Sequence, residues 1–162
     1  MNVNLRQYKV GFSLYGLIAF VLQELPYLPW LLCPPKNNPL ANNAPGNVFL
    51  GILEKFGGVI TVGLLIIIIN KSVIRPKFKN KLFYISVLCL FTYYFCWIFY
   101  FLGVINAWLI VIGLSAVVPI FYLCIALWLK NYFAVFTSVI FFIGHTGSNM
   151  INYLLLNKFY EK

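Results

Sequence analysis

Acidic side chains are nearly missing from this chain: its 162 residues hold three glutamates, no aspartate and a single histidine. With so few donors, and with no H-x-x-x-H, H-x-x-E or C-x-x-C spacing among them, no metal site is written in the sequence. The four cysteines, Cys33, Cys89, Cys96 and Cys124, have no neighbouring histidine, which excludes a zinc or dithiol redox motif. Cys89, Cys96 and Cys124 read as small buried hydrophobes. Charged residues of any kind make up only 9% of the chain, and the mean hydropathy is +0.90. That is too little polar surface to cover a water-soluble globule, so the chain is expected to be solvated by lipid. Its basic excess, a formal +9, lies between apolar runs and forms no basic and aromatic array. Membrane lipids are therefore expected partners and nucleic acid is not. No internal repeat and no motif of a known transporter, channel or intramembrane enzyme is present, and no cofactor is implied.

What the chain does have is apolar sequence in runs of about twenty residues, the length at which a helix crosses a hydrocarbon core of roughly 30 Å. Irregular backbone cannot face lipid, so each run is predicted to be helical. The pattern predicts five transmembrane helices, roughly 10–32, 47–70, 82–103, 107–129 and 132–156, in one all-α integral membrane bundle spanning residues 1–162. The first run follows Arg6 and Lys9, is long for a signal-peptide core and lacks a small-residue cleavage site, so it is expected to remain as an anchor. Pro26 and Pro29 interrupt its end. A polar, proline-rich outer loop, 33–46, follows, and Asn47 is a good N-cap for the second helix. That helix runs through a β-branched stretch, Ile66 to Ile69, and ends at Asn70. From Leu82 to Leu129 the apolar sequence is too long for one crossing, and Gly103 to Asn106 is its turn.

The basic residues set an orientation. With the N-terminus inside, Arg6, Lys9, Lys130 and the five basic residues of the loop 71–81 are cytoplasmic. Lys36, Lys158 and Lys162 then lie outside, and Lys55 falls within the second helix. Eight against three predicts a cytoplasmic N-terminus and an outside C-terminus. Asn70-Lys71-Ser72 matches a glycosylation acceptor but falls on the cytoplasmic side, where it reads as chance. Heavy use of Asn, Lys, Ile, Phe and Tyr suits an AT-rich genome, so a bacterial cytoplasmic (inner) membrane is the expected location.

Two of the three carboxylates, Glu24 and Glu54, thus fall inside membrane helices, where ionisable groups are rare without a purpose. At 1.5 Å per residue, Glu24 lies roughly 12 Å, Glu54 roughly 9 Å and Asn149 roughly 10 Å below the outer ends of their helices. His145 is one turn deeper than Asn149, and Asn152 nearly one turn shallower. Within each helix the polar and small residues share a face: Ser138, His145, Ser148 or Asn149, and Asn152 on one, Gly51, Glu54, Gly58 and Thr61 on another, and approximately Ser13, Gly16, Gln23 or Glu24, and Tyr27 on a third. Pro26 and Pro29 have no N–H and so free the carbonyls of Leu22 and Leu25 on either side of Glu24. His145, Lys55, Asn149 or a water are the expected partners of these carbonyls.

These features predict a polar outer-leaflet pocket of Glu24, Glu54, His145, Asn149 and Asn152, capped by the loop from Pro34 to Gly46. Whichever of Tyr93 and Tyr94 faces inward is expected to line it. Trp97, Tyr100 and Trp108, with Trp128 and Tyr132 at the other face, read as interfacial belt residues. Gly144 and Ser148 form a small-xxx-small pair suited to close helix approach.

A carboxylic acid in apolar surroundings is kept neutral more readily than in water, and a neighbouring histidine can exchange protons with it. The expected function is binding or transport of a small, partly hydrophobic or cationic ligand through this layer. A homodimer is expected if it transports, because five helices are few for alternating access. Two other readings stand beside it. One is a small intramembrane enzyme in which a carboxylic acid and His145 move protons on a lipid or isoprenoid. The other is a non-catalytic assembly or immunity subunit whose polar layer is interhelical glue, worth around 0.6–2 kcal/mol per contact.

Overall fold

The computed structural model of the chain describes residues 5–73 and 76–155. Arg75, the predicted helix end at 156 and the lysines at 158 and 162 lie outside the described residues. Within them the chain is helical apart from one two-stranded ribbon. The helices are α1 (Leu14–Glu24), α2 (Tyr27–Leu32), α3 (Val48–Ile67), α4 (Lys81–Phe101), α5 (Val117–Trp128) and α6 (Tyr132–Met150). A π-helical segment, Leu109–Ala116, runs straight into α5, and a shorter one, Ile151–Leu155, continues α6. Four stretches are long and apolar enough to cross a membrane: α3, α4, Leu109–Trp128 and Tyr132–Leu154.

Polar caps start most of these helices. Ser13 accepts from the Gly16 amide, Asn47 from Leu50, Asn80 from Leu82 and Asn131 from Ala134, each satisfying a donor that the first helical turn leaves open. The first apolar run is not one helix. It begins as strand β1 (Tyr8–Val10), becomes helical at Leu14, breaks at Leu25 and Pro26, and resumes as α2. Proline supplies no amide to the preceding turn, so the break falls where Pro26 stands. β1 pairs antiparallel with β2 (Ile68–Asn70), Tyr8 opposite Asn70. The isoleucines that end the second run prefer an extended pleat to a helix, so α3 stops at Ile67, short of Asn70.

Leu109–Trp128 is the central helix, mostly buried, and α3, α4 and α6 surround it. Their outer faces are apolar, with Val48, Phe56 and Val59 on α3, Leu88, Phe91 and Phe95 on α4, and Phe136 and Ile143 on α6 all exposed. Apolar side chains outside and polar ones inside are what a lipid-solvated bundle presents, and this arrangement is compatible with an integral membrane protein.

The bundle has two distinct ends. At the basic end, β1 and β2 lie beside the α5–α6 turn, where the Tyr8 hydroxyl and the Asn70 amide both donate to the Lys130 carbonyl. Asn70 is buried and also accepts from Ser72. Asn131 reaches back to α3 and donates to the carbonyls of Leu64 and Ile68 at 2.8 and 3.0 Å. Trp128 is buried here among Tyr15, Phe78 and Phe83, and its indole N–H donates to the Lys77 carbonyl. It is therefore a core residue and not a belt residue. At the other end the segment 33–47 folds over the helix tips. Asn38 accepts from Trp30 and from Tyr100, the Tyr100 hydroxyl accepts from the Leu40 amide, and Tyr153 donates to the Pro39 carbonyl. That cover buries Tyr100, Trp97 is buried among Tyr27, Trp30 and Tyr93, and Trp108 stays exposed.

Candidate functional site

The site starts from the way α3 and α6 meet. They pack antiparallel, and at two points a helix approaches so closely that only hydrogen fits. A methyl added at Gly144 would run into the backbone of Leu53 and Glu54, and one at Gly57 would lie 2.9 Å from the Phe141 backbone. Further along, the hydroxyls of Thr61 and Thr137 meet at 2.9 Å. This register sets Glu54 against the turn that carries His145, and Nδ1 of the imidazole lies 2.9 Å from Oε1 of the carboxylate. An ionised carboxylate can only accept, so with Glu54 ionised Nδ1 is the protonated nitrogen. Nε2 has no hydrogen-bond partner among the described residues.

The imidazole is held from two further sides. Phe141, one turn earlier on α6, stacks on it with ring centroids 5.1 Å apart and planes 29° from parallel. The backbone carbonyl of His145 accepts from the Asn149 amide at 2.8 Å and from the Ser115 hydroxyl at 3.0 Å. Asn149 also donates to Ser115, and its carbonyl oxygen accepts from Asn43 of the covering segment at 2.8 Å. Ser115 belongs to the π-helical stretch. The wider π turn is a recurrent feature of functional sites, and here it contributes Ile110, Leu114 and Ser115 to the same cavity wall.

α1 closes the opposite side. Gln23 is buried and clamped between two tyrosines, donating to the Tyr93 hydroxyl at 3.2 Å and accepting from the Tyr122 hydroxyl at 2.6 Å. Glu24, beside it, is half-buried and has no hydrogen-bond or ion-pair partner among the described residues. All these elements enclose a cavity of about 380 Å³. Glu24, Glu54, His145, Asn149 and Tyr93 line it, together with Gln23, Asn43 and Ser115. An aromatic cluster forms the rest of the wall: Tyr27 and Trp30 lie 4.8 Å apart, and Trp97 lies 6.4 Å from Trp30.

Two of the residues singled out in the sequence stand outside this cavity. Asn152 is buried, and its amide donates to Asn43 and to the Ala44 carbonyl, so it fastens the covering segment. Tyr94 faces away from the chamber and donates to the Leu22 carbonyl, the one that Pro26 frees. The partner of that carbonyl is thus a tyrosine of α4, and neither His145, Lys55 nor Asn149. Lys55 is exposed, and the ion-pair contact of Glu54 is with His145. Among the described residues no group of three or more His, Cys, Asp or Glu converges on a point where a metal would bind.

Asn43, Ser115, Trp30, Trp97 and Phe141 join the site without having been singled out as pocket residues. Ser115 carried a usable signal, as the only serine or threonine between Trp108 and Lys130. The others carried none that separates them from ordinary loop or packing residues. Chemically, the chamber offers a histidine oriented by a carboxylate, a second carboxylate that none of the described residues engages, and amide and phenol groups to orient a polar head. No protein family, no curated protein and no solved structure matches the chain.

Proposed function

We propose that the protein binds, and as a dimer transports, a small, partly hydrophobic ligand in the chamber between α1, α3 and α6, using Glu24 and the Glu54–His145 pair as protonatable groups. In this reading the broken α1–α2 segment makes a fifth crossing, the basic end is cytoplasmic, and the segment 33–47 covers the chamber from outside a bacterial cytoplasmic membrane. The carrying observation is that two carboxylates and the only histidine line one cavity of about 380 Å³. Small-ligand sites run from about 300 to 1,000 Å³, and ionisable groups held at membrane depth usually mark a substrate or proton path.

The test is native mass spectrometry of the protein extracted from its membrane with no ligand added. A non-protein mass retained by the wild type should be lost from Glu24→Gln, Glu54→Gln and His145→Ala at unchanged yield of folded protein. If wild type and variants carry the same adducts, the chamber is packing and the proposal fails. A second reading rests on one detail: among the described residues Nε2 of His145 has no hydrogen-bond partner, while Nδ1 is held by Glu54. That is the arrangement of a general base, and it supports proton transfer on a lipid-soluble substrate inside the same cavity.

A further inference from the structure

Glu24 lines two cavities, not one. The second, of about 340 Å³, lies between α1 and α3 and shares Gln23, Glu24 and Phe141 with the chamber. Its remaining wall is mostly apolar, with Phe20, Val59 and Val62, and includes Tyr122, whose hydroxyl is taken up by Gln23. At the basic end the stretch leading into α1 is bonded to the end of α3, where the amides of Gly11 and Ser13 donate to the carbonyls of Ile67 and Ile66 at 2.8 and 2.7 Å, and within α1 Gly16 lies against the Leu65 carbonyl. Past that contact, between residues 20–24 and 58–62, the gap opens. Val59, on its rim, is 75% exposed on the outward apolar face of α3. Gly58 adds no side chain to fill it.

Charge decides what this gap admits. His145 is engaged by Glu54, so the ionisable group left uncompensated on the chamber wall is the Glu24 carboxylate. An unpaired carboxylate in apolar surroundings is unfavourable, and a ligand cation removes that penalty while an anion worsens it. The neighbouring faces of Tyr27, Trp30 and Trp97 attract a positive charge through the ring quadrupole, most strongly when water is excluded. Resting on the reading that the chamber is a ligand site, we propose that its ligand is an amphiphilic organic cation. The ammonium head pairs with Glu24 against the aromatic wall, and the alkyl tail lies in the gap between α1 and α3, which is also its sideways route from the lipid.

The protein in lipid nanodiscs is titrated with dodecyltrimethylammonium, dodecanol and dodecyl sulfate, following tryptophan fluorescence against empty discs. The cation should bind at least tenfold more tightly than either comparison probe. Glu24→Gln should lower its affinity at least tenfold, towards that of dodecanol. Val59→Phe, which narrows the gap from its exposed rim without touching Glu24, should weaken the dodecyl cation at least tenfold and leave tetramethylammonium, which has no tail, unaffected. Equal binding of dodecanol and the cation, with no effect of Glu24→Gln, overturns the cation assignment. If His145→Ala still abolishes binding in that case, the chamber reading survives it. Failure of every probe to bind wild-type protein also overturns the assignment, and the co-purification experiment then judges the chamber alone.

Discussion

Replacing Gly144 by alanine adds one methyl where the structure has no room. The methyl points at the backbone of Leu53 and Glu54. Backbone cannot rotate away as a side chain can, so relief requires α3 and α6 to separate. Overpacking a well-fitted interior costs about 1–3 kcal/mol, and a rigid obstacle belongs at the upper end of that range. Against this stands the better helix propensity of alanine, about 1 kcal/mol. The net expectation is a loss of about 2 kcal/mol, or a melting point lower by about 4–8 °C for a chain of this size. Gly63 is the internal control. It lies on the same pair of helices, yet a methyl there meets nothing within 4 Å. Gly63→Ala should be neutral or stabilising by up to about 1 kcal/mol, from propensity alone. Thermal unfolding of both variants in the same detergent, followed by tryptophan fluorescence and size-exclusion profile, makes the comparison. If Gly144→Ala melts at or above the wild type, or if Gly63→Ala falls equally far, close backbone approach does not set the α3–α6 register.

Three other outcomes are expected. Gln23→Leu leaves the hydroxyls of Tyr93 and Tyr122 without their shared partner and should cost about 2–4 kcal/mol in unfolding; adding Tyr93→Phe and Tyr122→Phe should recover part of that loss. Asn131→Ala removes an N-cap and two bonds to the carbonyls of Leu64 in α3 and Ile68 in β2, so it should cost about 2–3 kcal/mol and speed amide hydrogen exchange in the first turns of α6. Cys33 is exposed on the covering segment, so a variant keeping it as the sole cysteine should react with a membrane-impermeant maleimide added to intact cells; reaction only after lysis would reverse the proposed orientation.

What the sequence discloses about this fold is mostly local. Long apolar runs, the Asn47 cap, the Gly103 turn and the interruption at Pro26 each depend on neighbours in the chain, and each is legible there. The β1–β2 ribbon is not, because it pairs residues some sixty positions apart in segments that look like helix ends. The level of each residue along its helix is legible too, since a fixed rise per residue sets Glu24, Glu54 and His145 at similar heights, and they line one cavity. Partners are not. Tyr93 and Tyr94 are adjacent and chemically identical, yet one bonds Gln23 inside and the other a backbone carbonyl outside, a choice made by helix rotation. Trp97, Tyr100 and Trp128 resemble belt residues in sequence because nothing in their own runs announces that distant segments will fold over them.

The glycine contacts between α3 and α6 also bear on motion. A helix that slides along its neighbour through side chains alone can stop anywhere, but one seated on a bare backbone contact has few places to rest. One turn away along α6 the place of Gly144 is taken by Ile140 or Ser148, whose side chains could not sit on the Leu53 and Glu54 backbone. The glycine contact thus admits one register, the one in which the Glu54 carboxylate meets the His145 imidazole.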